Sequence, residues 1–67
     1  MIEIRLNGET RTLEADTTLA ALIESLGQAP AALATAVNGN FVPRAQRPAY
    51  PLQNGDAVTT FRPITGG

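Results

Sequence analysis

The fold is decided by residues 2–27, IEIRLNGETRTLEADTTLAALIESLG. Within this stretch the sequence changes from a strand pattern to a helix pattern. From Met1 to Leu6 apolar side chains alternate with charged ones, which is the period of a strand with one buried face. Asn7-Gly8 supplies the positive backbone angles of a tight hairpin turn. Glu9 to Leu13 then resumes with β-favouring threonines, so the chain is predicted to open with a β-hairpin.

A helix is predicted after residue 15. Any of Asp16, Thr17 and Thr18 can cap its first turn, because a short polar side chain there accepts a hydrogen bond from a free backbone N–H. Gly27 suits the left-handed position just past a helix end, and Pro30 discourages continuation, so the helix should span about two turns. Its core-facing stripe recurs at i, i+3, i+4 and i+7, namely Leu19, Leu22, Ile23 and Leu26.

The middle of the chain predicts a second hairpin. Residues 28–32 form a connector whose shape the sequence leaves open, since its alanines could also form one more helical turn. Two short segments, 34–37 and 41–42, flank Asn38-Gly39-Asn40, which has the turn chemistry of a hairpin. Prolines between Pro43 and Pro51 forbid regular strand pairing, so this segment is predicted to be an irregular surface crossing.

The last strand is predicted over Ala57 to Arg62, directly after the turn Asn54-Gly55-Asp56. Because successive side chains of a strand point to opposite faces, its residues divide into two sets. One face carries Val58 and Thr60, and the other carries Thr59 and Phe61.

A hairpin, a helix and then further strands predict an α+β fold, in which one main helix lies across one face of a mixed sheet of four to five strands. If the final strand lies beside the first in the centre of the sheet, the fold is a β-grasp, or ubiquitin-like, roll. Residues 1–62 are then the β-grasp domain, and residues 63–67 are a flexible C-terminal tail ending in Gly-Gly.

The composition argues against several classes of function. A chain of 67 residues holds one domain and buries only roughly 60% of its unfolded surface, which leaves no room for a deep catalytic cleft. It contains no cysteine and no histidine, so we expect neither a catalytic residue nor a metal site. The net charge is -1 and the arginines are scattered, which does not support nucleic-acid binding. Apolar stretches fall well short of the roughly 20 residues of a bilayer span, and the chain begins as a strand rather than a signal sequence, so we expect a cytoplasmic protein without membrane contact.

The chain end is the candidate chemical site. Gly66 and Gly67 leave a carboxylate on a backbone without side chains, which is thin enough to enter a narrow channel in another protein. Five residues from Pro63 reach at most about 17 Å when extended, so the terminus can enter a partner's active site while the domain stays outside. Gly67 is therefore the predicted reacting residue, and Gly66, Thr65 and Ile64 are predicted to thread the channel.

Phe61, Arg62 and Pro63 are the candidate docking residues at the base of this tail. Phe61 has two open interpretations, since it can belong to a second small core on its face of the sheet or be an exposed anchor for a partner. Arg62 can steer the tail toward an acidic partner or a nucleotide phosphate, or be a solvated charge. Pro63 stiffens the base of the tail. Arg44 and Arg47, on the proline-rich crossing, are interpreted as surface charges.

Several segments, taken in order, resemble the ThiS family, the sulfur carriers of thiamine biosynthesis. They cover nearly the whole chain and read IEIRLNGETRTL, TTLAALIESLG, AVNGNFVPR, LQNGDAVTTF and ITGG. Each motif alone is an ordinary turn or strand, but their order is fairly specific, with NG-x-x-VPR in the middle and Gly-Gly at the end. The resemblance implies a β-grasp fold, in agreement with the pattern of strands and helix.

The resemblance also implies a reaction cycle. A ThiF-like adenylyltransferase would use ATP and magnesium to form an acyl adenylate on Gly67, while the chain itself would bind no cofactor. Sulfur from a cysteine desulfurase route would convert the adenylate to a thiocarboxylate, and a ThiG-like thiazole synthase would take that sulfur into the thiazole ring. Gly66 carries over as the neighbour without a side chain, and Phe61 as an apolar position used against the adenylating partner. The chain would thus be a carrier and a co-substrate rather than an enzyme.

Other interpretations of the same chain end stay open. Molybdopterin carriers of the MoaD family end similarly with phenylalanine, proline and Gly-Gly, although the VPR segment and the short total length point away from them. A protein modifier would be joined through Gly67 to lysines on its targets, as ubiquitin is. In a plain β-grasp interaction module the tail would be inert.

Overall fold

The structure, a computed structural model, describes residues 1–27 and 32–62. Its strands and helices, in chain order, are β1 Ile2–Leu6, β2 Glu9–Leu13, α1 Leu19–Ser25, β3 Ala34–Val37, β4 Asn40–Val42, a 3₁₀ helix Arg44–Ala49 and β5 Ala57–Phe61. The strands form a five-stranded sheet in the order β2-β1-β5-β3-β4. β5 is parallel to β1, whereas the β1–β2, β3–β4 and β3–β5 pairs are antiparallel. The last strand therefore lies beside the first, which confirms the predicted mixed sheet and the β-grasp order.

Both predicted hairpins form around asparagine-glycine turns. Asn7 and Asn38 adopt φ angles of 51° and 52°, in the left-handed region that asparagine tolerates better than most residues. The second turn is one residue shorter than predicted, because Asn40 belongs to β4 and pairs with Val37. A two-residue turn already reverses the chain, so Asn40 is available for pairing.

The helix begins and ends where the sequence places it. Thr18 is the capping residue among the three candidates, since its Oγ1 accepts a hydrogen bond from the backbone N–H of Ala21 at 3.2 Å. Gly27 follows the helix with a φ of 74°, the left-handed conformation predicted for it. The stripe faces the core as predicted, with Leu26 half-buried and Leu19, Leu22 and Ile23 buried.

The core lies between α1 and one face of the sheet. The helix contributes three buried side chains, and β1 contributes Ile4 and Leu6 beside them. Every strand except β2 supplies at least one buried side chain to this core. The remaining buried apolar residues are Leu33, Val37, Val42, Leu52 and Val58.

The proline-rich crossing is ordered as a helix, which corrects the prediction of an irregular segment at 43–51. Arg44–Ala49 form a 3₁₀ helix with Pro48 inside it. The backbone N–H of Gln46 donates to the carbonyl of Pro43 at 2.9 Å, a bond between residues three apart. Proline fixes φ near the helical value and removes only one donor, so a short 3₁₀ helix accepts a proline where a central strand does not.

Arg47 in this 3₁₀ helix is buried, with 3% of its surface exposed, whereas Arg44 is exposed. The interpretation as a surface charge is therefore wrong for Arg47 and confirmed for Arg44. Arg47 donates from Nε to Thr35 Oγ1 at 3.0 Å and from Nη2 to the Leu33 carbonyl at 2.5 Å. Burial lowers the pKa of Arg47 below its ordinary value, and the positive charge of Arg44 lowers it further. The guanidinium nevertheless stays protonated at neutral pH.

Two predictions lie outside the described residues. These are the conformation of most of the connector, because residues 28–31 are not described, and the tail predicted over residues 63–67. Of the helices that the structure describes, none has the length and apolar character needed to cross a membrane.

Candidate functional site

The candidate site begins at the C-terminal end of β5, the central strand of the sheet. Leu6 is the partner of Val58 in the parallel pair with β1, and Ala34 is the partner of Phe61 in the antiparallel pair with β3. β5 ends at Phe61, one residue before the predicted Arg62, at this pair with the first residue of β3. The chain therefore leaves the sheet beside β3, whereas its pairing with β1 ends three residues earlier, at Val58.

Phe61 lies on the face of the sheet away from the helix. Val58 and Val37 are partners and are both buried beneath α1, so the odd-numbered residues of β5 point to the opposite, outer face. Phe61 is 46% exposed, so part of its side chain is open to solvent, and its role as an anchor for a partner remains a prediction. Arg62, the next residue, is also exposed.

A second exposed phenylalanine lies on the same outer face. Phe41 in β4 is 64% exposed and is the partner of Ala36, and Ala34, two residues before Ala36 in β3, is the partner of Phe61. The two phenylalanines thus flank a strand whose outward side chains are alanines. We call Ala34, Ala36, Phe41 and Phe61 the aromatic face.

No functional role was predicted for Phe41. Its alternation with the buried Val42 was the available signal, since it places Phe41 on the solvent side of a short edge strand. Phe41 shares a face with Phe61 only because β3 lies between β4 and β5, and the local sequence pattern does not reveal this strand order. Large apolar side chains that share an exposed face are typical of a surface that binds another protein.

The other predicted site residues lie outside the described residues. These are Pro63, Ile64, Thr65, Gly66 and Gly67, whose docking, threading and reacting roles remain predictions. Phe61 is the last residue of β5 and Arg62 follows it, and the sequence continues from Arg62 to these five residues. Within residues 1–27 and 32–62, no group of three or more acidic, cysteine or histidine side chains is placed to hold a metal ion.

A groove of about 290 Å³ lies on the opposite side of the sheet, between α1 and the 3₁₀ helix. Its volume is near the lower end of the roughly 300–1,000 Å³ typical of small-molecule sites. Because α1 covers the inner face, the groove and the aromatic face are on different sides of the sheet. The groove is lined by Ala20, Ile23, Glu24, Arg44, Arg47 and Pro48.

Comparisons with known proteins agree with the fold and with the sequence motifs. The family model of the ThiS family matches residues 4–67. The sulfur carrier protein ThiS of Escherichia coli strain K12 is 35% identical over 66 residues, which is 98% of this chain and 100% of the relative.

Two solved structures of a thiamine biosynthesis protein from Geobacter metallireducens have the same fold. The crystal structure, named ThiS, superposes with a TM-score of 0.82 at 26% identity, covering 98% of this chain and 100% of the other. The NMR solution structure gives a TM-score of 0.73 at 25% identity, covering 98% and 88%. The family match extends over nearly the whole chain, from the first strand to the final glycine, and so the chain belongs to the ThiS family.

Proposed function

We propose that this chain is a sulfur carrier in thiamine biosynthesis, and that its reacting group is the carboxylate of Gly67. One observation carries the proposal: the central strand of the sheet, β5, leads within six residues of Phe61 to a Gly-Gly chain end in a member of the ThiS family. The E. coli relative, which this chain matches over its full length, is named a sulfur carrier protein.

The proposed chemistry takes place at the C-terminal carbonyl carbon. A carboxylate oxygen of Gly67 attacks the α-phosphorus of ATP, and pyrophosphate leaves, so that an acyl adenylate forms. Hydrosulfide (HS⁻), which a thiol reductant would release from the persulfide of a cysteine desulfurase route, then attacks the carbonyl carbon and expels AMP, which leaves a thiocarboxylate and a proton. The carrier supplies the reacting group, and its partner supplies the catalytic groups that orient and stabilise each transition state.

Three kinds of partner follow from this cycle. A ThiF-like adenylyltransferase would bind ATP and magnesium, a cysteine desulfurase route would supply sulfur, and a ThiG-like thiazole synthase would accept it. The chain would act in the cytoplasm as a co-substrate of these enzymes rather than as an enzyme. Support for the carrier role comes from the family match and from the exposed Phe61 at the end of β5, from which the sequence runs on to the Gly-Gly end.

The aromatic face is the proposed docking surface for the adenylating partner. Exposed phenylalanines become anchors when a partner covers them, because a buried aromatic ring contributes a large apolar area at low conformational cost. Phe61 is directly followed by Arg62 and the predicted tail, so a partner that covers Phe61 also lies next to the chain that must enter its active site.

Replacing Phe61 with serine is expected to lower kcat/KM of the adenylation step about tenfold, the usual effect of losing one aromatic anchor. The side chain is substantially exposed in the free protein, so the melting temperature should change little. Pyrophosphate release, measured with the adenylating enzyme at varied carrier concentration, gives the value.

Thr12→Ala is the matched control for Phe61→Ser. Thr12 is an exposed residue on the same outer face but in β2, two strands away from β5. Its substitution should leave kcat/KM within twofold. Equal values for the wild type and Phe61→Ser would remove the aromatic face from the proposed interface.

A sulfur-labelling experiment tests the function itself. The carrier is loaded with isotopically labelled sulfur by its adenylating partner, purified, and given to thiazole synthase with the remaining thiazole precursors. The label should appear in the thiazole ring. Labelled carrier that never passes its sulfur to thiazole would contradict this pathway, and amide adducts between the chain and lysines of other proteins would identify a protein modifier instead.

A further inference from the structure

The two turn asparagines, Asn7 and Asn38, both reach the last strand with their side chains. Each is the first residue of an asparagine-glycine turn, and each has a positive φ. β1 is parallel to β5 and β3 is antiparallel to it, so the turn after β1 lies at the C-terminal end of β5 and the turn after β3 lies at its N-terminal end. The strand that leads to the chain end is thus held at both ends by the same kind of residue.

Asn7 holds the C-terminal end of the strand at Thr60. Its Oδ1 accepts a hydrogen bond from the backbone N–H of Thr60 at 2.9 Å, and its Nδ2 donates to Thr60 Oγ1 at 2.9 Å. The backbone N–H of Asn7 donates to the Val58 carbonyl at 2.9 Å, the last backbone bond of the parallel ladder among the described residues. Because the turn carries the main chain of Asn7 away from β5, its side-chain oxygen takes the place of the next backbone acceptor.

Asn38 makes the equivalent contacts at the other end. Its Oδ1 accepts from the backbone N–H of Ala57 at 3.0 Å, its Nδ2 donates to Asp56 Oδ1 at 3.0 Å, and its backbone N–H donates to the Ala57 carbonyl at 2.8 Å. The two residues therefore match in turn position, backbone conformation and number of side-chain bonds. They differ in which end of β5 they hold.

We propose that Asn7 is a positioning residue of the carrier, which holds Thr60 so that Phe61 and the chain after it leave the sheet at one fixed point toward the adenylating partner. This inference rests on the proposed function. Without the two side-chain bonds, the end of β5 can separate from β1, and the fraction of molecules with a correctly placed Phe61 falls. A partner that binds only the ordered form then shows a weaker apparent affinity, in proportion to that fraction.

The test compares Asn7→Gly with Asn38→Gly. Glycine adopts positive φ without strain, so each variant loses two side-chain hydrogen bonds while keeping its turn. Adenylation by the partner enzyme is measured at varied carrier concentration, well below the melting temperature of either variant. Asn7→Gly should raise KM for the carrier about five- to tenfold, the range expected for two exposed hydrogen bonds, with kcat unchanged. Asn38→Gly should lower the melting temperature about as much as Asn7→Gly does, but it should change KM less than twofold.

Hydrogen exchange of backbone amides gives a readout that needs no partner. The Thr60 amide should exchange faster in Asn7→Gly, and the Ala57 amide should exchange faster in Asn38→Gly. Thr60→Val, which removes the hydroxyl at nearly constant shape, should raise KM about twofold to threefold, while Thr60→Ser should restore it. These two variants provide the same test if Asn7→Gly does not fold.

The outcomes separate this inference from the proposed function. If the wild type is adenylated and the two glycine variants have equal KM values, Asn7 has only a structural role and the positioning inference is overturned, while the carrier function stands. If a folded wild type is never adenylated by an active partner, the proposed function fails and the inference fails with it.

Discussion

A chain that ends at Gly66 is expected to fold normally and to lose adenylation and sulfur transfer by about a hundredfold or more. Removing one residue withdraws the carboxylate by roughly 3.5 Å, and misplacement of a reacting group by about 1 Å already costs on the order of a hundredfold in rate. Every buried residue of the described chain lies between Ile4 and Val58, so the melting temperature should not change. Pyrophosphate release and growth of a thiazole-requiring strain are the measurements.

Two further variants serve as controls for this truncation. One extra glycine after Gly67 moves the carboxylate by the same distance in the other direction, and it should also fail. Gly66→Leu keeps the length and adds a side chain next to the reacting group, so it should block transfer if the partner's channel is narrow. Normal thiamine-dependent growth with the truncated chain would show that Gly67 is not the reacting residue.

Arg47→Ala is expected to destabilise the fold by about 3 kcal/mol, the largest effect on stability that we predict. The substitution leaves the Leu33 carbonyl without its guanidinium donor and removes a donor from the buried Thr35 hydroxyl. Hydrogen bonds that involve a charged group each contribute roughly 1.5–3 kcal/mol, and an unpaired buried acceptor adds a desolvation cost. In a domain of this size that loss should lower the melting temperature by on the order of 15 °C.

Arg44→Ala is the matched control for Arg47→Ala, because Arg44 lies in the same 3₁₀ helix and is exposed. It should change stability by less than about 0.5 kcal/mol, as is usual for a surface substitution. Arg47→Lys should recover only part of the loss, since an ammonium group cannot reproduce two donors in the planar geometry of a guanidinium. Equal melting temperatures for Arg44→Ala and Arg47→Ala, measured by circular dichroism, would contradict the structural role of Arg47.

Local chemistry made much of this fold predictable. A two-residue hairpin turn requires positive φ, which few residue pairs adopt. Asn7-Gly8 and Asn38-Gly39 are such pairs, so both turns could be located without a structure. The period of α1 and its end before Gly27 follow from local rules in the same way, whereas for its start those rules offered Asp16, Thr17 and Thr18, of which the structure selects Thr18. These features depend on neighbours within a few positions in the sequence, and the family resemblance then supplied the order of the strands.

The features that sequence reasoning missed depend on residues that are distant in the chain. Arg47 is buried because it hydrogen-bonds to Thr35 and Leu33. These residues lie twelve and fourteen positions away in the sequence, so no local pattern encodes the contacts. The same holds for Asn7 and Thr60, which are 53 positions apart. For the candidate site, Phe61 and Arg62 could be proposed because they adjoin the Gly-Gly end, whereas Phe41 joins them only through the sheet order.

The mass of the intact chain, after incubation with an active adenylating partner, ATP, magnesium and a sulfur source, tests the carrier role most directly. Conversion of the terminal carboxylate to a thiocarboxylate should raise the mass by about 16 Da, the difference between sulfur and oxygen, and fragmentation should place the increase on Gly67. A mass that stays at the carboxylate value under conditions in which the partner converts an established carrier would contradict the account.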